Sequence, residues 1–376
     1  MRHVHSGHLE RWLGREPVER ISLAMRDWYG PPITLQGVPG AVWAARGGDF
    51  LGHVDAGQFG SVYDRAEDVI RRYAHKLRVQ VARGMRVRHG TLYMGFASLS
   101  DAIAEATAGK KRDFHWQKVG ATGVVGVTNS LWGVGNQPAA GANASAAPGG
   151  DAPTDATTGA MPFDNVSTDT RHVVSGYASC EDAGNSLLLY DRIFQVNTTM
   201  NSTATEAVTG VPTRYQATTQ GAQDSAEGNF LFVEVGGTAL AATAHNWTVC
   251  LYTDQSGNGT ITLPSLTGAS GAIVRRLDHP TQQWFAPLAS GDTGIKALTQ
   301  MQCSALVATG VINFVIGHPL CWMPIPIANL TCLYDYIGTA FNPARIFDDA
   351  ALAFLEVMKP LTSATTYNAG ITAVHG

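Results

Sequence analysis

His3, His5 and His8 stand close enough along the chain for three imidazoles to meet on one divalent cation. Glu10 is the one acidic residue beside them and no cysteine is near, so the run reads as a solvated segment and no metal is expected. Asp254-Gln-Ser-Gly-Asn-Gly places oxygen ligands at alternate positions, as at the start of a calcium loop. Such a loop needs a bidentate Glu at its twelfth position, where this chain has Ser265, so the expectation is a hairpin turn. Asp348-Asp349 and Glu181-Asp182 offer paired carboxylates of the kind that hydrolyse glycosides. Adjacent residues on a strand point to opposite faces, so neither pair makes a natural acid/base dyad. Gly-x-x-x-x-Gly-Lys-Ser/Thr, Gly-x-Ser-x-Gly and His-Glu-x-x-His do not occur. No catalytic residue and no cofactor are expected, and the chain reads as a non-enzyme.

The strongest chemical signal is electrostatic. Arg71, Arg72, Lys76 and Arg83 lie outside the apolar stripe of an expected helix, where they can meet a negative partner. Residues 1–112 hold 17 Lys and Arg against 11 Asp and Glu, whereas residues 113–376 hold 9 against 19. A basic segment therefore precedes an acidic body. The basic part is expected to dock on the acidic body of a neighbouring copy or to face packaged DNA, in either case with salt sensitivity.

The elements that carry these residues follow from periodicity. Residues 1–112 read as a basic, mainly helical region. In Ser61–Arg83, Val62, Ala66, Val69, Ile70, Tyr73, Leu77 and Val81 form one stripe, and acidic residues early with basic residues late match the helix dipole. A second short helix is expected over Ser98–Ala108. Asp113–Val119 alternates at period two, and residues 113–132 read as a strand region. Residues 133–160 are almost wholly small or polar, which marks a linker or long loop, read as lying across a neighbouring subunit. Residues 161–376 give short apolar runs with turn signals between them, including Leu187–Val196, Phe230–Val235, Trp247–Tyr252, Gly271–Arg275, Val311–Ile316 and Ala351–Val357. No helix-length crossover separates these runs. The fold class expected is α+β, mainly β: a helical N-terminal part, then an antiparallel β-sandwich or jelly-roll-like body.

Charged residues are 15% of the chain, against about 25% in ordinary soluble domains. A surface poor in charge is easily desolvated, which suits a subunit packed against copies of itself. The five cysteines form no Cys-x-x-Cys and several lie in apolar runs, so they read as buried thiols made in a reducing cytoplasm. No leader-like apolar core is seen in Met1–Gly14, and no run of about 18 apolar residues is present to span a membrane. The tryptophans are scattered singly and read as core or interface anchors.

Four segments carry a resemblance: Asp113-Phe-His-Trp-Gln-Lys, Ser186-Leu-Leu-Leu-Tyr-Asp-Arg-Ile, Thr203-Ala-Thr-Glu-Ala-Val-Thr-Gly-Val-Pro-Thr-Arg-Tyr and Leu288-Ala-Ser-Gly-Asp-Thr-Gly-Ile. With the alternating strands around them, they resemble virion structural proteins of tailed bacteriophages. The resemblance implies a many-copy role in a particle, in the head shell or attached to it, with copies of itself and other virion proteins as partners and the virion as its place. Two other readings are a tail or fibre protein that binds host glycan, expected to cluster tryptophans on its surface, and a hydrolase of cell-wall or capsule sugars, expected to bring two carboxylates into one groove.

Overall fold

The computed structural model describes residues 96, 99–120, 124–167, 169–216, 226–337, 343–358 and 365–376. Contacts divide the chain after Leu92, and the described residues belong to the second unit, Tyr93–Gly376. The helix expected at Ser61–Arg83, the His3/His5/His8 run and the rest of the basic region before Phe96 lie outside the described residues.

A short helix, α1 (Leu99–Glu105), runs into a π-helical turn (Ala106–Lys110) that Gly109 ends with φ of +89°. Among the described residues, everything after it is strand and loop. The first strands are β1 (Lys111–Val119), β2 (Val127–Ser130), β3 (Asn136–Gln137), β4 (Arg171–Cys180), β5 (Asn185–Thr199) and β6 (Glu206–Ala207). Next come β7 (Phe230–Val235), β8 (Asn246–Trp247), β9 (Leu251–Asp254), β10 (Gly259–Thr262), β11 (Leu266–Thr267) and β12 (Ile295–Met301). The last are β13 (Val311–Ile325), β14 (Cys332–Asp335), β15 (Arg345–Ile346), β16 (Leu352–Met358) and β17 (Thr366–His375). All pairings between these strands are antiparallel, as the absence of crossover helices predicts.

The centre of the body is the sheet β2-β16-β5-β13-β7. Its spine is the pair β5 and β13, in register from Thr199 opposite Val311 to Asn185 opposite Ile325. Apolar residues at nearly every position of β5 make a strand buried on both faces. Leu187, Leu189, Phe194 and Val196 point one way; Leu188 and Tyr190 point the other. A bulge at Ile193 shifts the alternation by one residue, so Arg192 and Gln195 share a face.

This sheet closes on itself. Residues 275–278 hydrogen-bond to β2 on one side and β7 on the other. Ser130 N donates to Arg275 O and Leu277 N to Thr128 O, while Val235 N donates to Arg276 O and Asp278 N to Val233 O. The result is a small barrel with no free edge along that stretch. Its interior holds Leu188, Tyr190, Phe232, Val315, Leu277 and Leu355.

Two further layers cover the barrel wall. The sheet β14-β4-β17-β1-β3, with β15 also on β4, packs over one part of the wall around Trp116, Val173, Phe354 and Ile371. The sheet β10-β9-β12-β6 and the pair β11-β8 cover another part around Phe314, Tyr252, Trp247 and Leu298. The body is thus mainly antiparallel β, in layers, as expected; closure of the middle layer was not.

Two expectations are corrected in detail. Gly271–Arg275 is not a strand: Gly271 takes φ of +68° inside a turn, and the ladder begins only at Arg275. Trp247–Tyr252 is broken into β8 and β9, which pair with different partners. The segment 133–160, expected as a linker or long loop, lies against the chain's own β5 and β13. Ala146 bridges Asn197, Asp151 bridges Gln195, and Asn313 Oδ1 accepts from Ala144 N.

Candidate functional site

Charged side chains are costly to bury unless paired, so those inside this body need an account. Arg192 is fully buried in the barrel. It donates to Glu234 through Nη2 (2.5 Å) and Nη1 (3.2 Å), and to Gln195 Oε1 through Nε (2.6 Å). Its guanidinium lies 4.8 Å from the Trp132 ring. Asn313 Nδ2 completes Glu234 at 3.1 Å. Burial alone would lower the Arg192 pKa, but the Glu234 carboxylate outweighs it and raises it. Burial pushes the neighbouring Tyr190 phenol up to about 12.

Asp191, the residue before, faces the opposite side of the sheet. Arg214 clamps it with Nε (2.8 Å) and Nη2 (2.7 Å), and Ala351 N adds a third hydrogen bond at 2.8 Å. His318 stacks on Tyr215 at 3.9 Å beside this pair and shares a hydrogen bond with Asn229 Oδ1. Two of the segments that carry the phage resemblance therefore meet here, at Asp191 and Arg214. Each carboxylate is consumed by an arginine, so the cluster holds strands together and offers no open acid or base.

Sequence reasoning missed this network. Its signal was present: Asp191-Arg192 interrupts an otherwise apolar run, which is where a buried pair announces itself.

The loop 133–160 is fastened over the barrel mouth by the same logic. Asp151 accepts from Ser145 N (2.5 Å), Ser145 Oγ (2.6 Å) and Gln195 Nε2 (3.3 Å). Trp132 Nε1 donates to Ala142 O, and Gly141 packs so closely on that indole that a Cβ would collide with it. Lys118, buried, spends its ammonium on Val134 O (2.8 Å) and Pro138 O (2.5 Å); burial, and then Arg275, lower its pKa to about 8.

The surface that stands out is the connection from β13 into β14. From Val311 through Tyr334 the chain has no Asp, Glu, Lys or Arg. Trp322, Ile327, Leu330 and Leu333 are exposed along it, Leu333 at 80%. The strand edge itself is closed to backbone pairing. Beyond β7, Pro319 and Pro324 lack N–H groups, Tyr336 Oη donates to Trp322 O, and Tyr334 Oη donates to Pro324 O. What remains available there is side-chain surface.

No family model matches the chain, and no curated protein matches it. Among solved structures, one titled as infectious bursal disease virus, Gt strain, aligns over 70% of this chain and 79% of its own, at 7% identity and a TM-score of 0.16. The VP2 subviral particle of infectious bursal disease virus aligns over 70% and 80%, at 8% identity and a TM-score of 0.15. Superpositions at this level do not establish a common fold.

The expected contact residues Arg71, Arg72, Lys76 and Arg83 lie outside the described residues. Asp254 forms the expected hairpin turn, with its two oxygens taken by Asn258 N (2.8 Å) and Asn258 Nδ2 (2.9 Å). Asp348 accepts from Val166 N and Ser167 N, while Asp349 binds Asn165, so the adjacent pair tethers one loop at two points. Trp116, Trp132 and Trp247 are buried; among the described tryptophans only Trp322 and Trp284 meet near the surface, edge to face at 4.4 Å. All five cysteines are free thiols, four of them buried. Among the described residues no group of His, Cys, Asp and Glu is placed to hold a metal, and no helix is long and apolar enough to cross a membrane.

Proposed function

We propose that this protein is a non-enzymatic structural subunit of a bacteriophage virion, in the head shell or attached to it. Its work is assembly: apolar side chains on a weakly charged surface are buried against copies of itself and other virion proteins. The observation that carries the reading is the charge-free stretch Val311–Tyr334 with Trp322, Ile327, Leu330 and Leu333 exposed. An edge blocked against strand addition but lined with large apolar side chains suits packing against a shaped neighbour. The resemblance of the four segments to tailed-phage virion proteins supplies the particle. In this reading the basic region before residue 112, with Arg71, Arg72, Lys76 and Arg83, docks on an acidic neighbour or on packaged DNA.

The test is the solution mass of the full chain by light scattering across concentration and salt. Multimers are expected, reduced to smaller species by Leu330→Asp with Leu333→Asp, and weakened by charge reversal at Arg72 and Lys76. A wild-type monomer under every condition would overturn the assembly reading.

A further inference from the structure

One row of residues crosses four strands on the outer face of the sheet β14-β4-β17-β1. Leu333 stands opposite Tyr177, Tyr177 opposite Gly370, and Gly370 opposite His115. Gly370 leaves the floor of this row open. A Cβ there would lie 2.5 Å from both Cε1 and Cζ of Tyr177, so the ring occupies the space that any other residue would fill. Across that gap Tyr177 Oη and His115 Nδ1 share a 2.8 Å hydrogen bond. The ring planes differ by 18° and the centroids are 6.2 Å apart. Near-parallel rings whose edge atoms are in hydrogen-bond contact lie side by side, not one above the other. Together they make a flat aromatic plate over the sheet, with His115 exposed and Tyr177 half-buried.

Two polar rows flank the plate, each about 7 Å away by the two-residue repeat of a strand face. On one side are Asp335, Ser175, Thr372 and Asp113; on the other are Ser179, Asn368 and Gln117. Carboxylates, hydroxyls and amides supply both donors and acceptors. Neither row contains Lys or Arg, and the nearby Lys111 is paired with Asp113 at 2.9 Å. A nucleic acid would stack on such rings but needs a basic track for its phosphates, and these rows are acidic or neutral. A second protein sheet would be expected to meet aliphatic surface; Leu333 supplies it at one end of the row only, whereas both flanks of the plate are hydrogen-bonding groups. A pyranose ring fits both features: a C–H face for the aromatic plate and hydroxyls at its rim for the polar rows.

We propose that this face, centred on Tyr177 and His115 over Gly370, binds a neutral saccharide, with Asn368, Gln117, Thr372 and Ser175 addressing its hydroxyls. The row shares its end residue, Leu333, with the assembly surface on the β13–β14 connection, whereas Tyr177, His115 and Gly370 lie outside that surface.

Saturation-transfer NMR on the full chain with cellohexaose, maltohexaose and chitohexaose as probes tests it. Transfer to the ring C–H protons of at least one probe is expected. Affinity should fall about tenfold in Tyr177→Ala and in His115→Ala, as loss of an aromatic contact predicts. Asn368→Ala should also weaken binding, while Trp322→Ala should leave it unchanged. His115 is exposed, so its variant reports even if Tyr177→Ala folds poorly. No transfer to any probe, or transfer that survives His115→Ala, would overturn the proposal. So would a solution mass that drops in His115→Asp with no saccharide signal, which would make this face a contact between copies.

Discussion

Arg192 and Glu234 form a two-pronged ion pair across β13, sealed inside the closed barrel with exposures of 0% and 3%. Removing one partner strands the other charge without water. Glu234→Gln is expected to lower unfolding stability in urea by about 3–5 kcal/mol. Arg192→Met with Glu234→Leu should cost less than Glu234→Gln alone, because no charge is left behind. Equal losses would show that packing, not the unpaired charge, sets the cost.

Asp151 is the buckle of the loop over the barrel. Asp151→Ala removes three hydrogen bonds, two of them to Ser145. A loss of about 1–3 kcal/mol is expected. Amide exchange should quicken across residues 143–152 and stay slow in β16. Uniform quickening would mean the loop and barrel unfold as one unit.

Three histidines should separate by pH. Burial lowers His279 and His318 to about 4, below the unfolded value near 6.5. Between those values the unfolded chain binds protons that the native one refuses, so stability should fall as pH drops from about 6.5 to 4. His245 goes the other way: burial opposes its charge, but Asp278 at 2.9 Å wins and holds its pKa above the ordinary value. That contribution is present at low pH and is lost as pH rises through the raised value. Imidazole NMR titrations read all three directly; an ordinary midpoint for His279 or His318 would contradict their burial.

Gly370→Ala should destabilise by about 1–3 kcal/mol, since the new methyl meets Tyr177 and Phe114 O at 2.5–2.6 Å. Tyr177→Ala in the same chain should recover part of the loss. If the double variant is no better than Gly370→Ala alone, the backbone contact dominates.

The sequence by itself determined the local matters. Period-two alternation marked β1, apolar runs between turn signals marked β7 and β16, turn chemistry marked the hairpin at Asp254, and a lack of crossovers marked an antiparallel body. β4 and β17 escaped notice because Gly176 and Gly370 interrupt their patterns. Those glycines are placed by neighbours distant in the chain, Met323 of the facing layer and Tyr336 for the first and Tyr177 on the next strand for the second, and periodicity carries no record of such neighbours. The bulge at Ile193, the closure through residues 275–278 and the saccharide face were decided only by tertiary structure. Each depends on strands distant in the chain coming into register. Registry is a property of the pairing rather than of either strand, so the row from Leu333 through Tyr177 and Gly370 to His115 exists only once four strands are laid side by side.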